Sequence, residues 1–191
     1  MPVQFLPPLQ EVQSPGDPLQ ADLFRVVLFC PEHLSLVKDG PGKRRSFIDG
    51  AICQIRPYYA SLLNEFNKIE AHRSALLKQS TKKHIPKELF SVWNERLSKI
   101  SVKIASIRAD YIRSLSHLAP VHFGKIAKGA EEMKLKYVSD VYQEDLSIEE
   151  MEKKYLLQLE DSFFSDQKYG FTSKGIHRDD LDIEIGNKSA R

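Results

Sequence analysis

At 191 residues, 41% of them hydrophobic, the chain can bury one ordinary core, or a core with an extended appendage, and its apolar share excludes wholesale disorder. A formal net charge of +2 conceals a division along the chain: fifteen Lys/Arg face six acids over residues 68–136, and nine acids face two lysines over 139–166. A nucleic-acid contact would therefore use the middle of the chain, although a solvated face on long helices accounts for the same charges.

Five of the ten prolines (Pro2, Pro7, Pro8, Pro15, Pro18) fall in the first twenty residues, so 1–22 are expected to form an unstructured or atypical leader. FRVVLF, 24–29, is a continuous apolar run of strand length, the pattern of a strand covered on both faces. Pro41 suits a first helical turn, and Phe47, Ile48, Ala51, Ile52 and Ile55 form a stripe that should stop at Arg56, before Pro57. From Tyr59 the spacing of Leu62, Phe66, Ile69, Arg73 and Leu76 alternates 3 and 4, a heptad seam with one arginine in it, expected to end near Gln79.

After the polar link STKKHI, Pro86 opens the longest helix, with Trp93, Leu97, Ile100, Ile104, Ile107 and Tyr111 in heptad spacing and Leu115 and Leu118 extending the stripe. About 33 residues at roughly 1.5 Å each make a rod of roughly 50 Å, which Pro120 is expected to break. Two such helices joined by a short link predict an antiparallel hairpin that projects from the rest. VHFGKIAKG then reads as a short helix with Gly129 as C-cap, and MKLKYV alternates as a half-buried strand does. Ser147 and Glu150 make a capping box ahead of the stripe Ile148, Met151, Tyr155, Leu159 and Phe163. LDIEIGN alternates again, with Leu181, Ile183 and Ile185 inward and Gly186-Asn187 as a hairpin turn. Strand patterns at both ends flank a helical projection, and neither end carries enough strands to close a sheet, as in the middle of a larger protein.

Two cysteines, Cys30 and Cys53, sit in apolar runs without metal-ligand spacing and read as reduced core thiols. No secretory leader precedes them and no run approaches the ~20 apolar residues of a membrane span, so a cytoplasmic, non-membrane protein is expected. GPGKRR at 40–45 has the composition of a phosphate loop, but with Gly42-Lys43 as its GK the first glycine would fall at Val37 and the hydroxyl at Arg44, so the pattern fails. Lys43, Arg44 and Arg45 oppose the dipole at a helix start and need compensation, from Asp39, Glu32, Asp49 or a phosphate backbone. HRDD at 177–180 fails the kinase pattern, since Glu184 stands where asparagine is required. A charged turn entering a strand and pairing across an interface explains it better than a metal site does. Nothing here supports self-contained catalysis.

PEHLSLVKDGPGKRRSFID closely resembles the signature of the RecF family, the bacterial recombination-mediator ATPases, at Pro31, Glu32, Gly40, Pro41, Arg44, Arg45 and Asp49. The resemblance runs on through QIRPYYASLLNEFNKIEAHRSALLK, Trp93, Leu97, Tyr111 and Leu115 into GFTSKGIHRDDLDIEIGNKSAR, with His177, Arg178, Asp179 and Asp180, and covers about 24–191. Two departures are Ser74, where asparagine is usual, and Ile176, where proline is usual. The Walker A loop, the ABC-type signature and the Walker B aspartate are absent from these residues, so the chain is similar to the central part of the family.

The resemblance implies a mainly α fold with small β portions (α+β), a helical lobe with a long antiparallel hairpin flanked by strands of an incomplete ABC-ATPase-type head, similar to the SMC-type heads. It places a partial head strand and loop at 23–40, the helical lobe at 41–166 and the return to the head sheet at 167–191. For the complete protein it implies ATP and Mg as cofactors, weak DNA-dependent ATPase activity, an ATP-dependent homodimer, binding to single-stranded or gapped DNA, and loading of RecA with RecO and RecR. No cofactor and no turnover are expected of this chain alone. Arg44, Arg45, Arg73, Lys82 and Lys83 are the expected DNA contacts. The rival reading is a free-standing helical interaction module without a nucleotide role.

Overall fold

The computed structural model describes residue 36, residues 39–186 and residues 188–189. The expected leader, the FRVVLF strand, Pro31, Glu32 and Cys30 lie outside the described residues.

Helix α1 (Pro41–Ile55) begins where the proline dictates: Gly40 is extended and Pro41 takes the first helical position, where its missing N–H costs no bond. It stops before Pro57, as expected. The face it buries is Arg44, Ile48 and Ile52, one i, i+4 row, whereas Phe47 and Ile55 from the expected stripe are exposed. Helix α2 (Tyr58–Ser80) buries Tyr59, Leu62, Phe66, Ile69 and Arg73 as the heptad spacing requires, with Leu77 in place of Leu76 at the end of the seam.

Helix α3 (Glu88–Ile126) runs antiparallel to α2: Arg73 meets Asn94 near the start of α3, and Tyr59 meets Arg108 further along it. Its 39 residues pass straight through Pro120, so the expected break is corrected. Proline's φ is compatible with a helix, and what it removes is the donor to the Ser116 carbonyl. Residues 117, 118, 121 and 122 are exposed around it, so water can take that donor's place. The expected short helix in VHFGKIAKG is the last two turns of α3. These close with the Gly129 N–H bonded to the Gly124 carbonyl at 2.9 Å and with Lys128 and Gly129 at φ 51° and 75°. This 6→1 bond across a left-handed residue is the Schellman closure.

Between Leu97 and Ile112, α3 is buried on far more than one stripe. A helix buried on several sides is a core element, and α3 packs against α2, the sheet and α4 at once. Strand β1 (Met133–Val138) turns Met133, Leu135 and Tyr137 inward and its lysines outward, as the alternation predicts. It pairs antiparallel with β2 (Asp180–Ile185), Leu135 opposite Ile183 and Val138 opposite Asp180. β3 (Lys188–Ser189) pairs on the other edge of β2 after a turn with Gly186 at φ 55°.

Helix α4 (Ile148–Asp161) starts with both arms of the capping box formed, Glu150 N–H to Ser147 Oγ at 3.2 Å and Ser147 N–H to Glu150 Oε2 at 2.8 Å. Met151, Tyr155 and Leu159 are buried and Ile148 is exposed. Phe163 opens a separate helix, α5 (Phe163–Tyr169), and meets Phe90 edge-on at 5.0 Å between ring centroids. One large core surrounds α3, and a smaller one (Leu77, Ile85, Phe90, Phe163) supports the hairpin tip.

Candidate functional site: an ionic junction and a basic hairpin tip

The HRDD turn forms because of Gly175. At φ 136°, with the Tyr155 hydroxyl directly over it, that position has no room for a methyl group. Ile176–Arg178 then make a single 3₁₀ turn that delivers Asp179 and Asp180, both buried, to the start of β2. Arg44 reaches from α1 to Asp180 with two hydrogen bonds, 2.7 and 3.0 Å, and donates to the Asp39 and Leu36 carbonyls at 2.7 and 3.1 Å. Arg45 donates to the Asp179 carbonyl at 2.7 Å.

Arg108, on α3, binds Asp49 of α1 at 2.9 and 2.8 Å, Asp179 at 2.9 Å, the Ile176 carbonyl at 2.8 Å and Tyr59 Oη at 3.2 Å. Tyr59 donates to Asp49 at 2.6 Å, and the Tyr137 hydroxyl donates to Asp179. Burial works against the charge on Arg108, yet the hydrogen bonds and field of Asp49 outweigh it and hold the guanidinium above its ordinary value. Burial pushes the Asp179 carboxyl up, against the pull of Arg108. Asp180 raises Arg44 through its hydrogen bond, while burial, then Arg108, lowers Arg45.

A set of charges this deeply engaged fixes the relative placement of α1, α3 and the sheet; its gain lies more in geometry than in net stability. Among the described residues no group of three or more His, Cys, Asp or Glu side chains is placed to hold a metal ion. The compensation that the cationic start of α1 requires comes for Arg44 from Asp180, which sequence reasoning did not consider. Asp39 supplies only its carbonyl, and Asp49 is spent on Arg108 and Tyr59.

Arg73, in the α2 seam, is fully buried; it binds Asn94 at 2.7 Å, Asp166 at 2.8 Å and Thr172 at 2.9 Å. Arg44 is 4% exposed. Neither guanidinium has a face left for a phosphate, so for Arg44 and Arg73 the expected DNA contact gives way to an internal ion pair. Lys82 and Lys83 are exposed at the α2–α3 turn, and Arg45 is half-buried. His177 is packed beside the junction with Nε2 at 2.9 Å from the Thr172 carbonyl, while Arg178 is exposed. The structure thus gathers Arg44, Arg45, Asp49, Asp179 and Asp180 into one junction and leaves Arg73 and the two lysines elsewhere. Sequence reasoning missed Arg108, Asp166, Tyr59 and Tyr137. For Arg108 a signal existed, an arginine four residues from both Ile104 and Ile112 on an apolar phase.

Two of the concavities among the described residues bear on binding. Lys78, Gln79, Thr81 and Lys82 of the tip, with Lys168, Tyr169 and Gly170, rim a cavity of about 430 Å³. Ile52, Ile55, Ile107, Tyr111, Leu115 and Leu118 line a more apolar groove of about 350 Å³ beside the overhanging end of α3. No helix among the described residues is long and apolar enough to cross a membrane.

A helical lobe built on a long antiparallel hairpin and pinned by buried ion pairs to a small antiparallel sheet defines a mainly α protein of the type found in ABC-ATPase-like heads. No family model matches the chain. It is similar to the DNA replication and repair protein RecF of Alkaliphilus oremlandii, 37% identical over 84% of this chain and 43% of that protein. The same protein of Clostridioides difficile is 34% identical over 96% of this chain and 48% of its own length. Among solved structures, the recombination mediator protein RecF of the RecFOR pathway superimposes with a TM-score of 0.81 in its RecF-ATPrS form and 0.80 in its RecF-ATP form. The identities are 26% and 27%, each over 85% of this chain and 44% or 43% of the other. The chain belongs to the RecF family of DNA replication and repair proteins and spans less than half the length of the curated relatives it matches.

Proposed function

We propose that these residues form the helical lobe of a RecF-type DNA repair protein which, when complete, binds ATP with Mg, dimerises around the nucleotide, and engages single-stranded or gapped DNA in the cytoplasm. Its role there is to help RecO and RecR load RecA. The observation that carries the reading is 34–37% identity to RecF proteins over 84–96% of the chain. The solved relative named RecF-ATP, superimposing at a TM-score of 0.80, supports the nucleotide part. Walker A, signature and Walker B sequences are absent from these 191 residues, so nucleotide binding falls to other segments. DNA contact falls to the exposed cations of the hairpin tip, Lys82 and Lys83, with Arg45 secondary.

Equilibrium ATP binding to the purified chain, alongside binding to a gapped duplex at two salt concentrations, tests this. The expected result is no saturable ATP binding and DNA affinity that falls with salt, because counterion release drives it. Tight, saturable ATP binding would overturn the rejection of the 40–46 loop, and salt-independent DNA binding would overturn the backbone contact. A free-standing interaction module is favoured by one observation, the apolar groove that leaves Ile55 and Leu118 at 54% and 61% exposure. Absence of any DNA binding would point to that reading.

A further inference from the structure

We infer that the hairpin tip is a stacking site for single-stranded nucleic acid, in which bases lie on Tyr169 and Phe171 while Lys78, Lys82, Lys168 and Arg178 hold the phosphates. The inference rests on the DNA-binding reading above and gives it a site and a strand preference.

Among the described residues Tyr59, Phe66, Phe90, Tyr155 and Phe163 are buried, whereas Tyr169 is 62% and Phe171 41% exposed, as Phe47, Tyr58 and Phe164 also are. Their ring centroids are 6.0 Å apart, tilted by 33°. Gly170, between them, ends α5 in the left-handed conformation at φ 72°. That glycine also lets Lys78 pack close, since a Cβ there would stand 3.0 Å from Lys78 Cγ. Cations border both rings: Lys168 Nζ lies 5.7 Å from the Tyr169 centroid and the Arg178 guanidinium 5.8 Å from that of Phe171.

Lys78, Lys82 and Lys168 share the rim of the tip cavity with Tyr169. None of these three lysines, nor Arg178, takes part in an ion pair among the described residues. Arg44, Arg73 and Arg108 instead spend their charge on buried carboxylates. Unneutralised cations interleaved with exposed rings are what a single strand requires, since phosphates need countercharge and only an unpaired base offers a free face. A duplex can use the lysines but not the rings.

The test measures the affinity of the 191-residue chain, by fluorescence anisotropy, for three ligands: an oligothymidylate of about 12 nucleotides, an abasic phosphodiester of the same length, and a blunt duplex. Tyr169→Ala is expected to weaken oligothymidylate binding about fivefold or more, the equivalent of ~1–3 kcal/mol per stacked base. It should leave the abasic and duplex ligands unchanged, and Tyr169→Trp should restore affinity. Lys82→Glu with Lys168→Glu should weaken all three ligands. Tyr169 is exposed, so the thermal midpoint should not move, and Phe171→Ala provides a second reading of the same effect. If the unaltered chain binds oligothymidylate and both alanine variants bind it equally well, the stacking site is overturned while the DNA-binding reading stands, and the patch becomes a candidate protein contact. Equal losses on all three ligands also overturn stacking. No binding to any of them overturns both readings.

Discussion

Arg73 and Arg108 occupy positions that the helical period assigns to apolar side chains, and each is made tolerable by an acid from a distant part of the chain: Asp166 for Arg73, Asp49 and Asp179 for Arg108. Removing one member of such a pair strands the other charge without solvent. Arg73→Ala is expected to cost ~3–5 kcal/mol, measured by denaturant unfolding, and Arg73→Met combined with Asp166→Leu should recover most of the loss. A small loss in the single variant would mean that water reaches Asp166. His177 sets a pH dependence. Burial holds its imidazole below the ordinary value; Glu70 favours the charged form, Arg178 and Arg45 oppose it, and Nδ1 is buried without a partner. The unfolded chain therefore takes up this proton more readily than the fold. The stability contributed by the neutral ring is present above about pH 6.5, the unfolded value, and is lost as pH falls through it toward the folded pKa. The thermal midpoint should drop over that window, and His177→Gln should flatten the slope.

At the scale of elements, α3 serves as two helices in one. Its stretch from Leu97 to Ile112 is the centre of the core, while the turns around Pro120 overhang with Leu118, Val121 and Ile126 exposed. Proline costs a helix interior ~3 kcal/mol, but a cost borne by an overhang shows as local fraying rather than as lost global stability. Pro120→Ala is accordingly expected to raise helicity at 222 nm and to slow amide exchange over 113–126 while leaving the global midpoint nearly unchanged. A large rise in midpoint would mean that the overhang folds cooperatively with the core. The capping box of α4 and the proline start of α1 are local devices, settled by a few neighbouring residues, and both were readable as such.

At the scale of the whole molecule, the junction of Arg44, Arg108, Asp49, Asp179 and Asp180 joins a lobe of helices to a sheet, with Arg44 and Asp180 136 positions apart in the chain. Arg44→Ala removes from Asp180, 6% exposed, the guanidinium that pairs with it at 2.7 Å. The expected loss is ~3–5 kcal/mol, and unfolding followed at the sheet and at the helices should cease to coincide. Coincident transitions at full stability would show that packing alone holds the lobe in place.

Much of this architecture could be read before any tertiary contact was known, because periodicity, proline placement and capping act over a few residues. The starts of α1, α2 and α4, the antiparallel hairpin and the alternation of β1 are of that kind, whereas Phe47, Ile55 and Ile148 of the expected stripes are exposed and the burial of β2 does not alternate. The RecF motifs could be read as well, because they are runs of sequence. What each motif residue does was not legible. Arg44 and Arg73 looked like surface cations since charge is a property of the residue, whereas burial is a property of what packs over it. Arg44 acquires Asp180 across 136 positions, and no local rule reaches that far. The sequence by itself determined the starts of most helices and the strands β1 and β2, through short-range sterics and hydrophobic period, and the family through its motif runs, but it wrongly ended α3 at Pro120. Only the tertiary structure decided which cations are spent on internal acids and which stay free at the tip, because that choice is made by folding distant segments into one low-dielectric place.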